Sequence, residues 1–102
     1  MENKSKWGWA LVLSLLSLGA AANDLAVRSM AAACANCHGT NGVAQPGTSL
    51  VSLAGQPKSV LLSNLLDFKT GKRQATIMHQ LAKGYSDEQL DQLATYFAAQ
   101  KK

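Results

Sequence analysis

Hydrophobic positions divide the chain into an uncharged segment near the N-terminus and three later stretches with helical spacing. The uncharged segment covers residues 7–23, and the later stretches cover residues 24 to about 35, 57–70 and 86 to about 100. No stretch alternates apolar and polar residues with the period of two that a half-buried strand requires. The pattern therefore predicts an all-α fold of three or four short helices.

The N-terminal segment has the three parts of an export signal. Lys4 and Lys6 form a positive start, residues 10–18 form an apolar centre, and residues 19–22 are small. Small residues at the end of such a segment suit a signal peptidase, so we expect cleavage after Ala22.

This reading makes residues 1–22 a signal peptide and residues 23–102 the mature domain. The alternative is an uncleaved membrane anchor, although the apolar run is somewhat shorter than the roughly 20 residues that cross a bilayer. Export implies an oxidising compartment, and we expect the periplasm of a bacterium.

Local signals set the expected helix boundaries. Asp24 can cap the first helix, Pro57 suits the first turn of the second, and Gly71 can end it. Residues 72–84 are expected to form a basic linker with a short helical turn. A capping box begins at Ser86, because a glutamine follows it three residues later.

Charge excludes one class of function. The chain has 10 Lys and Arg against 6 Asp and Glu, a net charge of +4, and the basic residues are scattered. A nucleic-acid binder would show a dense basic stripe, so no nucleic-acid partner is expected.

The most informative residues are Cys34, Cys37 and His38, which form a C-x-x-C-H motif. The spacing brings two thiols onto one helical turn, where they can bond covalently to the two vinyl groups of a haem. His38 then lies beneath the iron as the proximal ligand. A bound haem also supplies the apolar centre that so small a domain otherwise lacks.

Two other chemistries use paired cysteines. Thiol–disulfide exchange would need a βαβ framework, which the pattern does not show. A structural zinc site would need two further ligands, and the one other histidine, His79, has no histidine partner at zinc-finger spacing. We therefore interpret the motif as a site of haem attachment.

Met78 and His79 are the candidates for the second axial ligand of the iron. Met78 follows His38 at a distance along the chain that allows wrapping to the other haem face. A thioether ligand stabilises reduced iron and raises the potential, whereas His79 would give a bis-histidine haem of lower potential. We expect Met78 to be the ligand; the alternatives are His79 and a Met78 that only fills the core.

Five segments together resemble class I c-type cytochromes. These are residues 34–39, 52–56, 68–73, 75–78 and 82–88. The likeness covers nearly all of residues 24–100, and the last two segments are most similar to the monohaem cytochrome subunit of flavocytochrome c sulfide dehydrogenase. The resemblance implies a small class I cytochrome c fold with three to four helices around one covalent haem c.

The same resemblance implies a close crossing of the first and last helices. A small residue on the first helix lets an aromatic residue on the last one approach. By position, Ala26 and Tyr96 form that pair, and Met30 stands where relatives often have an aromatic residue.

Relatives also use a proline carbonyl to accept a hydrogen bond from the proximal imidazole, which fixes its tautomer. This chain has no proline at the corresponding positions, Thr48 and Val51. We therefore expect the acceptor to be the carbonyl of Pro46, Gly47 or Thr48.

These features predict a one-electron carrier without catalytic residues. Iron that keeps six ligands in both oxidation states rearranges little when the electron moves. An apolar shell is expected to exclude water from the iron, formed by Leu50, Leu53, Leu61, Leu65 and Ile77. A basic rim could steer acidic partners, formed by Lys69, Lys72, Arg73 and Lys83, or these residues could be ordinary solvated surface.

Two alternatives remain at this point. One is a haem enzyme with an open sixth position, peroxidase-like or sulfur-oxidising, in which His79 would be the acid–base group. The other is a bound subunit of an oxidoreductase complex. Expected partners are redox proteins, such as a flavoprotein sulfide dehydrogenase or a terminal oxidase, with membrane contact only if the N-terminal segment is not cleaved.

Overall fold

The computed structural model describes residues 23–102, so the expected signal peptide lies outside the described residues. Within this range the chain is helical and contains no strand. The helices are α1 (residues 23–38), α2 (Lys58–Thr70), α3 (Met78–Lys83) and α4 (Asp87–Ala98), with a 3-10 turn at Thr40–Gly42. The prediction of a small all-α fold is confirmed.

Helix α1 extends beyond its predicted end near residue 35 and stops at His38. Gly39 ends it, because its φ of 88° lies outside the helical region. The Gly39 N–H still donates to the carbonyl of Ala35 across 3.0 Å. The whole C-x-x-C-H motif is consequently held in helical geometry.

Helix α2 is bounded by the two residues that the sequence indicated. Pro57 is the N-cap, one position before the first helical residue, Lys58. Gly71 follows the last turn with φ 81°, a left-handed conformation that favours glycine, and its N–H donates to the carbonyl of Phe68.

The capping box of α4 is present as predicted. The Gln89 N–H donates to Ser86 Oγ across 3.1 Å, and the Ser86 N–H donates to Gln89 Oε1 across 2.9 Å. Asp87 and Glu88 occupy the first turn, where negative charge interacts favourably with the helix dipole. The helix ends at Ala98, slightly before the predicted end near residue 100.

The core lies where α1, α2 and α4 meet. Its buried residues are Ala31, Leu61, Leu90, Leu93, Ala94 and Phe97. Helix α4 contributes most of them, with the i, i+3, i+4, i+7 spacing read from the sequence. Helix α2 packs against both α3 and α4, which positions the segment around α3 relative to the core.

The expected role of Ala26 in the helix crossing is wrong. Ala26 is exposed, whereas Ala31 of α1 is buried in the core together with Phe97. Tyr96 packs against the edge of this core and meets the Phe97 ring edge-on, with centroids 5.2 Å apart. The small residue of α1 at this core is therefore Ala31, which lies just over one helical turn after Ala26.

None of the helices within residues 23–102 combines the length and the apolar character needed to cross a membrane.

Candidate functional site

The last turns of α1 carry both cysteines and the histidine of the motif. Cys34 is half-buried and Cys37 is exposed, and both are free thiols. The Cys34 Sγ lies 3.9 Å from the carbonyl of Met30, on the preceding turn. Burial raises the pKa of the Cys34 thiol, and hydrogen bonding to the residue's own backbone offsets only part of this rise. This thiol therefore stays protonated to a higher pH than an ordinary cysteine.

The orientation of His38 is set by a hydrogen bond to a loop carbonyl. Its Nδ1 lies 2.7 Å from the carbonyl oxygen of Val51. Because a carbonyl can only accept, Nδ1 carries the proton and donates it. The lone pair is then on Nε2, which is the form in which an imidazole binds a metal.

The identity of this acceptor corrects the expectation from the sequence. The carbonyl of Val51 is used, and not that of Pro46, Gly47 or Thr48. A backbone carbonyl needs no proline ring to accept a hydrogen bond, so the position can serve with valine. No side chain marks this choice, because the acceptor belongs to the main chain, although Val51 is one of the two positions where the resemblance places a proline.

Backbone hydrogen bonds bring the Val51 loop to the motif. The N–H groups of Leu53 and Ala54 both donate to the carbonyl of Gly42, across 2.7 and 3.1 Å. The Ala44 N–H donates to Ser52 Oγ across 2.9 Å. These bonds fold the loop back on the 3-10 turn that follows α1, which places Val51 within reach of His38.

Gly42 is required at the centre of this arrangement. It is buried and has φ 81°. A Cβ built on it would lie 2.7 Å from Phe97 Cδ1 and 3.1 Å from the Ala54 nitrogen. The turn can approach α4 and the returning loop this closely because no side chain is present.

The two candidates for the second ligand lie on a separate element. Met78 is the first residue of α3, after the exposed N-cap Ile77, and both Met78 and His79 are half-buried. The His79 Nδ1 is buried and has no hydrogen-bond partner among the described residues.

The expected apolar shell divides into two groups. Leu61 is buried in the core, and Leu53 and Leu65 pack against that core. Leu50 and Ile77 are 44% and 56% exposed. Other large apolar side chains nearby in the sequence are also exposed. Val43 and Val51 lie with Leu50 in the loop between α1 and α2, and Leu81 lies in α3. Exposed apolar side chains beside the motif and α3 are what a large apolar ligand would cover.

Two of the four residues of the expected basic rim, Lys69 and Arg73, already contact other side chains of the protein. Lys69 Nζ lies 2.8 Å from Asp87 Oδ1, so an acidic neighbour offsets its charge. The Arg73 guanidinium stacks on the ring of Phe68 at 4.9 Å from its centroid.

The donor set and its surroundings fit one kind of cofactor. Two free thiols and an oriented imidazole on one helix end, next to exposed apolar side chains, suit a haem held by thioethers and by a histidine. Among residues 23–102, no group of three or more His, Cys, Asp and Glu lies together as a metal site. The fold and the site thus define a small helical protein built to hold a covalent haem.

The comparison with known proteins agrees. The cytochrome c family profile matches residues 25–101 of this chain. Cytochrome c4 of Pseudomonas aeruginosa is 40% identical over 100 residues, which are 97% of this chain and 49% of that protein. The cytochrome subunit of sulfide dehydrogenase of Chlorobaculum tepidum is 39% identical over 64 residues, which are 63% of this chain and 56% of that protein.

A solved structure is similar as well. It is the thiosulfate dehydrogenase of Marichromatium purpuratum, with a TM-score of 0.63, 37% identity, and coverage of 67% of this chain and 15% of that one. The chain thus spans about half the length of the curated relatives it matches.

The chain belongs to the cytochrome c family, and its resemblance to class I c-type cytochromes is confirmed. Its cofactor is a covalently bound haem c, as predicted. Its relatives are electron-transfer proteins.

Proposed function

We propose that this protein is a periplasmic one-electron carrier, exported by cleavage after Ala22. In this proposal the thiols of Cys34 and Cys37 hold the haem, and His38 Nε2 and the Met78 thioether are the axial ligands. The haem supplies an iron that alternates between the ferrous and ferric states. The chain's own groups fix that iron and shield it from water.

The hydrogen bond from His38 Nδ1–H to the Val51 carbonyl is the observation that carries the proposal. It fixes the tautomer that leaves Nε2 free for iron, and it fixes the plane of the ring. An imidazole oriented in this way needs little rearrangement on binding iron. It also stays in place when the charge on the iron changes, which is what a carrier requires.

The position of Met78 supports its role as the second ligand. It begins α3 and is half-buried, and large apolar side chains flank it at Ile77 and Leu81. A thioether favours ferrous iron and so raises the potential, and the apolar neighbours act in the same direction by limiting hydration.

The two alternatives relate differently to the carrier proposal. An enzyme with an open sixth position would need an acid–base group that contacts the bound substrate, and His79 is the candidate. Its Nδ1 is buried from solvent, which does not favour this use. The proposal that the protein serves as the electron-accepting subunit or partner of a dehydrogenase is compatible with the carrier role, because relatives carry such names.

One set of spectra tests the ligand set. We expect the oxidised holoprotein to show the sulfur-to-iron charge-transfer band of methionine ligation, and the reduced form to resist carbon monoxide. A mass measured under denaturing conditions should equal residues 23–102 plus one haem. An oxidised protein without the band, whose reduced form binds carbon monoxide readily, would establish an open sixth position.

A further inference from the structure

A small cleft on the protein surface lies between α3 and the loop that follows α2. It has a volume of about 260 Å³. It is lined by Gly71, Arg73, Gln74, Ala75, His79 and Lys83. The cleft is not part of the haem-attachment motif described above, and none of its lining residues is Cys34, Cys37, His38 or Met78.

The chemistry of the lining is one-sided. Arg73 and Lys83 contribute positive charges, Gln74 contributes an amide, and no Asp or Glu lines the cleft. The ion pairs found among residues 23–102 involve the basic residues Arg28, Lys58 and Lys69, and neither Arg73 nor Lys83. The charges of Arg73 and Lys83 are thus without an internal counter-ion in the described part of the chain.

The Arg73 side chain is held in position before any ligand arrives. Its guanidinium stacks on the Phe68 ring at 4.9 Å from the centroid. The backbone at this residue is held as well, because the Arg73 main-chain N–H donates to the carbonyl of Asp67 across 3.1 Å. A stacked guanidinium keeps its planar set of N–H donors available at the edge. Fixing it in advance reduces the entropy that binding would otherwise cost.

Lys83 and His79 approach the cleft from the other side. They are four residues apart on α3 and so share one face of that helix. The His79 Nδ1 is buried without a hydrogen-bond partner among the described residues, so this nitrogen does not anchor the ring.

We propose that this cleft binds a small inorganic oxyanion of the sulfate or phosphate type. Arg73 would bind two oxygens of the anion through its fork of N–H groups, and Lys83 would bind it as a point charge. The Gln74 side-chain amide would complete the donors. The cleft volume of about 260 Å³ leaves room for the anion and for several waters. One water molecule occupies about 30 Å³.

Sulfate titration of the reduced, diamagnetic holoprotein, followed by NMR, tests the proposal. Sodium chloride is exchanged for sodium sulfate at constant ionic strength. We expect saturable shifts confined to residues 71–83. Arg73→Gln and Lys83→Gln should each weaken binding roughly tenfold. Lys72→Gln is the matched control, because it removes the same charge beside Arg73 from a residue outside the cleft lining.

Shifts that grow linearly with sulfate, that chloride reproduces, or that survive in Arg73→Gln and Lys83→Gln would overturn the proposal. Equal weakening in Lys72→Gln would also overturn it, because general charge screening would then explain the effect. The amide shifts of residues 71–75 and their loss in Arg73→Gln can be followed whether Met78 or His79 is the second iron ligand. Failure of sulfate binding is therefore distinct from a failure of the carrier proposal.

Discussion

The hydroxyl of Tyr96 donates a hydrogen bond to Oδ1 of Asn41 across 3.3 Å. Asn41 lies in the 3-10 turn directly after the C-x-x-C-H motif and has φ 54°, in the left-handed region that asparagine tolerates better than most residues. Tyr96 lies on α4, beside the buried Phe97. The bond thus joins α4 to the turn that directly follows the C-x-x-C-H motif of α1.

Removing that hydroxyl gives the first prediction. Tyr96→Phe should lower the free energy of unfolding of the holoprotein by about 0.5–1 kcal/mol, because the hydrogen bond is exposed and its ring packing is kept. Urea unfolding followed by far-UV circular dichroism measures the change. Tyr85→Phe removes a hydroxyl from another half-buried tyrosine that packs against the core, and it should have a smaller effect. Equal losses in the two variants would contradict the role of the Asn41 bond.

A pair of glycine substitutions separates steric crowding from backbone strain. Gly42→Ala should destabilise the protein by about 3 kcal/mol, since its Cβ would collide with Phe97 while the backbone stays left-handed. Gly47 has nearly the same φ, 82°, but no atom lies within 4 Å of its Cβ position. Gly47→Ala should therefore cost only about 1 kcal/mol. Thermal unfolding of both variants measures the difference, and similar losses would contradict the close approach at Gly42.

The capping box of α4 is open to a direct test. Ser86→Ala removes the side chain that accepts from the Gln89 N–H, and we expect a loss of about 1 kcal/mol. Ser63 is an exposed residue within α2, so Ser63→Ala should be neutral or slightly stabilising. Urea midpoints of the two variants measure this. If Ser86→Ala were as stable as Ser63→Ala, the box would not stabilise the helix.

Replacing Met78 tests the proposed axial ligand. Met78→Ala should retain covalent haem, lower the reduction potential, and let the reduced protein bind carbon monoxide, because a coordination position opens. Spectroelectrochemistry and carbon monoxide titration measure both effects. Met30→Ala is the control: Met30 packs against the core, so stability should fall by about 2 kcal/mol while the axial ligands are kept. An unchanged potential and spin state in Met78→Ala would show that Met78 is not the ligand.

Removing both thiols tests the dependence of the fold on the cofactor. The double variant Cys34→Ala with Cys37→Ala should give an unfolded apoprotein, because so small a core needs the haem to complete it. Circular dichroism and one-dimensional NMR distinguish an unfolded chain from a folded one. Cys37→Ala alone retains one thiol for attachment and should fold with haem. A cooperative, well-dispersed double variant would show that the protein core suffices.

The parts of the fold that the sequence predicted are those that depend on local side chains. Ser86 and Gln89 form a capping box in any helix that begins there, and Gly71 ends α2 because few other residues accept its φ. The motif likewise depends on residue type and spacing alone, and the haem that it predicted is confirmed. Such signals do not depend on tertiary structure.

The parts that sequence reasoning missed depend on the main chain or on distant packing. The acceptor for His38 is the carbonyl of Val51, a group that every residue carries, so no residue type marks it. The choice of Ala31 over Ala26 at the core depends on how α1 is rotated against α4, and the alanine-rich run offers several equivalent positions. The left-handed conformation of Asn41 and its hydrogen bond to Tyr96 depend on the contact between the turn after α1 and helix α4, which no local pattern predicts.

The carbonyl of Gly42 receives the N–H groups of Leu53 and Ala54, while Gly55 donates to the carbonyl of Phe97 across 3.0 Å. The loop whose Val51 carbonyl orients His38 is therefore tied to α4 as well as to the turn after α1. A disturbance at the end of α4 consequently reaches the His38 imidazole through main-chain hydrogen bonds, although the two lie on different helices.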